Sequence, residues 1–226
     1  MSYLRFAWSW LRASQQWHGA DGIPIRVLQH LGYTGLSLLI AAAIAVPLGV
    51  LIGHTGRGAF AVVSMANVWR SIPTLGLLIL LVVWLGFSPL TWLVPLVALG
   101  IPPILVNSYE GIRGVDDDLK DAARGMGMTE WQVLLKVEIP VASQLIMLGL
   151  RTGAIFIVAT ATIAAEIGLG GLGRYIIDGL ASDIYGEVAG GAAVIVVLAL
   201  AVQVAFVGLR RLVVPAGLRR QARSSG

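Results

Sequence analysis

No cysteine occurs in the 226 residues, and only 12% of them are charged. The first absence excludes disulfide scaffolds, thiolate catalysis and cysteine-ligated metals. The second says more, because soluble domains carry roughly 25% charged residues. The scarce charge is also unevenly placed, and long stretches hold none. What is abundant is apolar: 57% of residues are hydrophobic and the mean hydropathy is +0.84. A soluble globule of this size cannot hide so much apolar surface, so a cytosolic enzyme, a secreted scaffold and a disordered chain are excluded. The bilayer is the remaining solvent. At about 20 residues per helical crossing, the length allows at most about six spans and no separate soluble domain of ordinary size.

The charge-free runs locate the spans. Leu31–Gly53 and Val188–Leu209 contain no Asp, Glu, Lys or Arg, and neither does Ser71–Tyr109. The last is too long for one crossing and is interrupted by the turn-forming Gly86-Phe87-Ser88-Pro89. It divides into helices expected near 64–85 and 90–109. A further span is expected over 141–166, apolar apart from Arg151 and its terminal acid. Five core spans result, and a sixth exists if 58–69 forms its own segment ahead of Arg70 and Pro73. Continuous apolar runs without alternation exclude a β-barrel. Pro47, Pro73, Pro102 and Pro103 are tolerable in membrane helices, and the 28 glycines suit close helix–helix contact. The fold class is therefore an all-α integral membrane protein.

Basic residues set the expected orientation. With a cytoplasmic C-terminus, the inner segments hold Arg57, Arg113, Lys120, Arg124, Lys136, Arg210, Arg211, Arg219, Arg220 and Arg223. The outer segments hold only Arg5, Arg12, Arg26 and Arg174. That imbalance places the N-terminus outside, and Trp84 and Trp92 flank a short outer turn as an interfacial aromatic belt would. Residues 1–27 lack the shape of a cleavable signal. Their Arg5, Ser9, Arg12 and Gln16 recur at helical spacing, which predicts an amphipathic helix lying on the membrane surface. Residues 28–210 form the transmembrane domain, and 211–226 a basic cytoplasmic tail. The excess of 16 Lys and Arg over 12 Asp and Glu serves membrane orientation, not nucleic-acid binding.

The segment 110–140 is the sizeable polar stretch between spans. Asp118 is expected to cap a helix, with Asp121 three residues on, that stops at Gly125 and Gly127. Thr129-Glu130-Trp131-Gln132 is a Thr-x-x-Gln capping box opening a second helix, with Trp131, Leu134 and Leu135 on one face. Pro140 begins the next span. Two short helices broken by glycine need a surface to pack on. That surface is the membrane, the chain's own spans, or a partner.

The spacing within this loop is specific. Asp121-Ala122-Ala123, three residues, Gly127, nine residues and then Val137-Glu138-Ile139-Pro140 resembles the coupling loop of binding-protein-dependent ABC importer permeases. In that pattern Glu-Ala-Ala precedes Gly and an Ile-x-Leu-Pro close; here Asp121 replaces the glutamate, and Val137 and Ile139 the aliphatic pair. Arg70-Ser71-Ile72-Pro73-Thr74, Gly125-Met126-Gly127-Met128-Thr129 and Ile167-Gly168-Leu169-Gly170-Gly171-Leu172-Gly173 are similar to osmoprotectant permeases, with methionine-type permeases the nearest competitors. The resemblance covers about residues 31–209.

It implies a type I ABC importer permease fold in a prokaryotic cytoplasmic membrane. It assigns Asp121, Ala122, Ala123 and Gly127, with Trp131 and Pro140, to contact with a separate cytoplasmic ATPase. ATP and Mg would be bound by those partner subunits, leaving this chain non-enzymatic and without a cofactor. A second permease subunit, identical or similar, and an extracytoplasmic binding protein complete the implied assembly. The implied cargo is a quaternary amine such as glycine betaine, choline or carnitine.

Other candidates weigh less. Gly168-x-Gly170-x-x-Gly173 matches the dinucleotide fingerprint in letters, but no strand precedes it. Gly168, Gly170, Gly171 and Gly173 read instead as a flexible outer turn, which either contacts the binding protein or lines the exit. Two polar stripes are candidates for the translocation route. Asn67, Arg70, Ser71 and Thr74 share one helical face; Gln144, Arg151, Thr162 and Glu166 fall within about 60° on another. For Arg70 and Arg151, snorkelling or anchoring of neighbouring helices is the competing reading. Asp116-Asp117-Asp118 reads as solvated capping, not a metal site. His18, His30 and His54 have no spaced partner for zinc or haem and read as helix-end or loop histidines. An ion-driven secondary transporter would need paired intramembrane acids, and only Glu166 falls in a span. An intramembrane enzyme would need paired Asp, a Ser–His set or axial His, none of which is present.

Overall fold

The computed structural model describes residues 2–60, 62, 64, 68 and 72–214, with side chains from Arg5 onward. Among the described residues there is no strand. The helices are α1 (Ser2–Arg12), α2 (Ile23–Thr55), α3 (Thr74–Leu85), α4 (Pro89–Arg113), α5 (Asp117–Gly125), α6 (Glu130–Val133), α7 (Ile139–Ile163), α8 (Gly173–Ala181) and α9 (Tyr185–Val213). A π turn over Leu134–Glu138 joins α6 to α7, and a 3-10 turn over Ala164–Ile167 extends α7.

Among the described residues, four stretches are long and apolar enough to cross a bilayer: Ile23–Thr55, Pro89–Arg113, Glu130–Ile167 and Tyr185–Val213. The helix expected over 64–85 is not continuous. Val62, Ser64 and Val68 are helical, but Ile72 and Pro73 are not, and α3 starts only at Thr74. Proline disfavours helical backbone at the residue before it, and Pro73 itself adopts ψ 117°. The remaining 12-residue α3 is apolar but about 18 Å long, short of a full crossing. The loop's second helix also differs from expectation. Pro140 does not begin a new span; α6 runs through the π turn into α7 as one rod. The Ile139 N–H donates to the Leu134 carbonyl, a widened turn placed just where the Pro140 ring would crowd a regular one.

Two compact units divide the chain. The first comprises 1–39, 72–99 and 154–202. One of its clusters joins Leu78, Leu96, Ile157, Ala161, Ala164 and Leu169. A second joins Trp10, Ile23, Leu172, Tyr175 and Leu198. The α1 helix belongs to that second cluster, so it does not simply float at an interface. Trp10 meets Tyr175 edge-on at 5.0 Å, and a β-carbon on Gly190 would fall within 2.2 Å of its indole. Phe6 and Trp8 face outward.

The second unit comprises 40–71, 100–153 and 203–226. Here α4 is gripped by small residues at i, i+4 spacing. A β-carbon on Gly49 would lie 2.7 Å from the Leu105 carbonyl oxygen, and one on Gly53 2.7 Å from Ile112. From α7, a β-carbon on Gly149 would lie 2.8 Å from Asn107 and one on Gly153 2.9 Å from Ile104. Lipid tails give no hydrophobic drive between helices, so this close backbone approach supplies the contact.

Candidate functional site

The loop after α4 is held by a dense set of caps and side-chain hydrogen bonds. Its first cap lies at Asp116, not Asp118: the Asp118 N–H donates to Asp116 Oδ1 at 3.0 Å. Starting the helix two residues earlier frees Asp117 to pair with Lys120 at 2.9 Å, which holds its carboxyl below the usual range. At the elbow Gly127 takes φ +84°, a conformation that favours glycine. The expected Thr129–Gln132 capping box is present in both directions, with Thr129 N–H to Gln132 Oε1 at 3.0 Å and Gln132 N–H to Thr129 Oγ1 at 3.4 Å.

Arg124 locks the elbow. Its guanidinium donates to Glu130 through Nε and Nη2 (2.9 and 3.1 Å) and to Asp121 through Nη1 (2.9 Å). Both carboxylates stabilise the cation and raise its affinity for the proton. Helices α5 and α6 are thereby stapled into one body. The buried face of that body carries Ala123, Val133 and Leu134; Asp121, Ala122, Met126, Gly127 and Trp131 are exposed. Trp131, Leu134 and Leu135 therefore do not share one environment. The π turn rotates Leu134 into the cluster of Val50, Ile112 and Ala142 and leaves Trp131 and Leu135 outside. Pro140 is half-buried in the first turn of α7.

A second anchor was not legible from spacing. His54, in the last turn of α2, donates from Nδ1 to Glu138 Oε2 at 2.8 Å, and its Nε2 lies 3.9 Å from Glu130. Glu138 is almost wholly buried, and a buried carboxylate requires such a partner. The partners stand 84 residues apart. His30 also departs from expectation. It is neither in a loop nor at a helix end but fully buried within α2, with Nε2 3.2 Å from the Val158 carbonyl.

The glycine turn after α7 packs closely at Gly170, Gly171 and Gly173. Gly168 and Gly171 take φ +85° and +88°. The Gly171 N–H donates to Gln29 Oε1 at 2.9 Å. A β-carbon on Gly173 would meet the Thr162 carbonyl at 2.2 Å, and one on Gly170 would meet Gln29 at 2.8 Å. Beside this turn a cavity of about 310 Å³ is lined by Tyr33, Phe87, Thr91, Trp92 and Gly170, among others. Tyr33 and Trp92 meet at 5.0 Å.

Of the polar stripes, Asn67, Arg70 and Ser71 lie outside the described residues, and Thr74 opens α3 half-buried. Thr162 donates its hydroxyl to its own helix at Val158, 3.1 Å away. Glu166 is exposed in the 3-10 turn that follows α7. Gln144 and Arg151 line a separate cavity in the second unit. Among the described residues no group of three or more His, Asp or Glu could hold a metal ion.

Comparison with known proteins bears on the family of the chain. The sequence pattern of the binding-protein-dependent transport system inner membrane component family matches residues 45–217. The carnitine transport permease protein OpuCB of Listeria monocytogenes is 36% identical over 89% of this chain and 92% of its own length. The glycine betaine/carnitine/choline permease OpuCB of Bacillus subtilis is 36% identical over 84% of this chain and 88% of its own. Among solved structures, an inward-facing form of the MetNI methionine ABC transporter matches with TM-score 0.72 and 25% identity, covering 85% of this chain and 96% of that one. A histidine-bound amino acid ABC transporter matches with TM-score 0.67 and 21% identity, which bears on fold alone.

Proposed function

Because the chain belongs to the family of binding-protein-dependent transport system inner membrane components, we propose that it is the membrane subunit of an ATP-driven importer for small osmoprotectants. The cargo class is quaternary amines, of the kind named for relatives that take carnitine, glycine betaine and choline. The chain is a transport permease of an integral-membrane family. ATP hydrolysis, with its Mg, belongs to two cytoplasmic partner subunits, and a binding protein outside delivers the cargo. A second permease subunit completes the pathway, since one copy has too few spans to enclose it. The N-terminus lies outside and the C-terminus in the cytoplasm in this reading, which the excess of basic residues on the inner side supports.

The observation that carries this reading is the stapled elbow. Its exposed face offers Asp121, Ala122, Gly127 and Trp131 on a body braced by Arg124. Closure of the ATPases around ATP pushes two such elbows together. The α6–α7 rod then transmits the displacement into the membrane, and the pathway changes from inward-open to outward-open. Asn67, Ser71, Thr74, Thr162 and Glu166 line the route in this reading, and the Gly168–Gly173 turn faces the binding protein or the exit. A methionine-type importer is the second reading, favoured by the likeness to MetNI in fold. The 33–36% identity to carnitine and choline permeases weighs for the first.

Co-purification in detergent with the partner ATPase, followed by reconstitution with the binding protein, tests the proposal. Glycine betaine, choline or carnitine should stimulate hydrolysis and methionine should not. Asp121→Arg and Ala122→Trp should uncouple transport from hydrolysis while the chain stays folded. Full transport in both variants overturns the coupling assignment.

A further inference from the structure

Arg151 and Arg210 face one cavity of about 280 Å³ between α7 and α9, and neither has an acidic partner. All 12 acidic side chains of the sequence lie among the described residues, and none forms an ion pair with either arginine. Arg151 sits twelve residues into α7, where an uncompensated cation in hydrocarbon is costly. Helical side chains lean toward the N-terminus of their helix, so the Arg151 stem runs down over Leu148, Met147 and Gln144. These four occupy i, i+3, i+4, i+7 positions on one face. Opposite them stand Phe206, Val207 and, one turn from the end of α9, Arg210.

The walls are thus apolar on both sides, with two guanidinium groups and one amide converging between them. That combination selects an anion attached to hydrocarbon. A free zwitterionic cargo fits poorly, because the lining holds no carboxylate, Tyr or Trp for an ammonium group and presents two cations against it. We propose that this cavity binds an acidic phospholipid. Its phosphate would lie between Arg151 and Arg210 in bidentate hydrogen bonds, and its acyl chain along Leu145, Leu148 and Phe206. Arg210, in the last turn of α9, stands where a membrane supplies headgroup phosphates, and the long Arg151 side chain reaches from mid-helix into the same cavity. The bound lipid would neutralise Arg151 and tie the foot of α9 to the rod that carries the elbow. The inference stands on this geometry and not on the identity of the cargo.

The test uses the full chain, with whatever subunits co-purify, in nanodiscs of phosphatidylglycerol or phosphatidylcholine and by native mass spectrometry in mild detergent. The wild type should retain phosphatidylglycerol and prefer it to phosphatidylcholine. Arg151→Gln and Arg210→Gln should each reduce that preference about fivefold, and Arg151→Lys should keep most of it. Leu148→Trp, which fills the cavity without changing charge, should also abolish retention. Arg210→Gln lies in an exposed last turn, so it remains informative if Arg151→Gln fails to fold. Equal retention of both lipids by the wild type, or unchanged preference in Arg210→Gln and Leu148→Trp, overturns the proposal. So does cross-linking that places a carboxylate of a second copy against Arg151.

Discussion

His54 Nδ1 and Glu138 Oε2 share a hydrogen bond of 2.8 Å across 84 residues of sequence, the acceptor almost wholly buried. It ties the last turn of α2 to the π turn that leads the elbow into α7. Removing the partner of a buried carboxyl group leaves that group without its hydrogen bond, at a greater cost than the bond's own net contribution. His54→Ala should therefore destabilise the chain by about 3 kcal/mol, read as a lowered Tm in detergent. Glu138→Gln, which keeps an acceptor in place, should cost clearly less. Equal losses would mean that the pair is incidental.

Arg124 should separate stability from coupling. Its pairs with Asp121 and Glu130 are exposed, and exposed ion pairs contribute roughly 0.2–1 kcal/mol each. Arg124→Ala should leave Tm nearly unchanged, yet loosen the elbow and reduce transport per ATP hydrolysed. Arg124→Lys cannot form the fork and should fall between. The comparison is a ratio of uptake to phosphate release in proteoliposomes.

Trp131 is 65% exposed beside a glycine elbow. As a docking anchor it should cost about 2 kcal/mol of ATPase affinity when replaced by Ala, with no loss of Tm. Titration of the ATPase against detergent-purified permease measures this directly. Unchanged affinity would move the contact elsewhere on the loop.

The glycines of α2 should divide by position, not by residue type. Gly49→Ala forces a β-carbon to 2.7 Å from the Leu105 carbonyl oxygen and should cost about 1–3 kcal/mol. Gly32→Ala meets nothing within 4 Å and should be neutral or stabilising by up to about 1 kcal/mol. Thermal unfolding of both variants in one detergent checks the contrast.

At the turn after α7, Gly171→Ala should cost about 1–2 kcal/mol for its left-handed backbone. Gln29→Leu, which strips the Gly171 N–H of its acceptor, should cost about 1–3 kcal/mol. If either variant lowers uptake without lowering Tm, the turn has a role beyond packing.

Much of this protein was readable before folding. Hydropathy runs are local and additive, so the spans over 31–53, 90–109, 141–166 and 188–209 all fall inside observed helices. The Thr129–Gln132 box formed because both of its bonds lie within four residues. The elbow's spacing led to its family because that pattern is linear. Errors arose where a local rule met a competing one. Asp118 was expected as a cap, but Asp116 offered the same chemistry two residues earlier. Pro140 was expected to start a helix, but a π turn absorbed it.

What chain composition determined by itself was the solvent, the helical class and the polar loop, because each follows from short-range patterning against a bilayer. Folding alone decided which side chains would meet. Nothing in the order of residues pairs His54 with Glu138, seats Gly49 on Leu105, or brings Arg151 and Arg210 to one cavity with no acid between them. Those contacts join positions dozens of residues apart, and only the packing of one helix against another creates them.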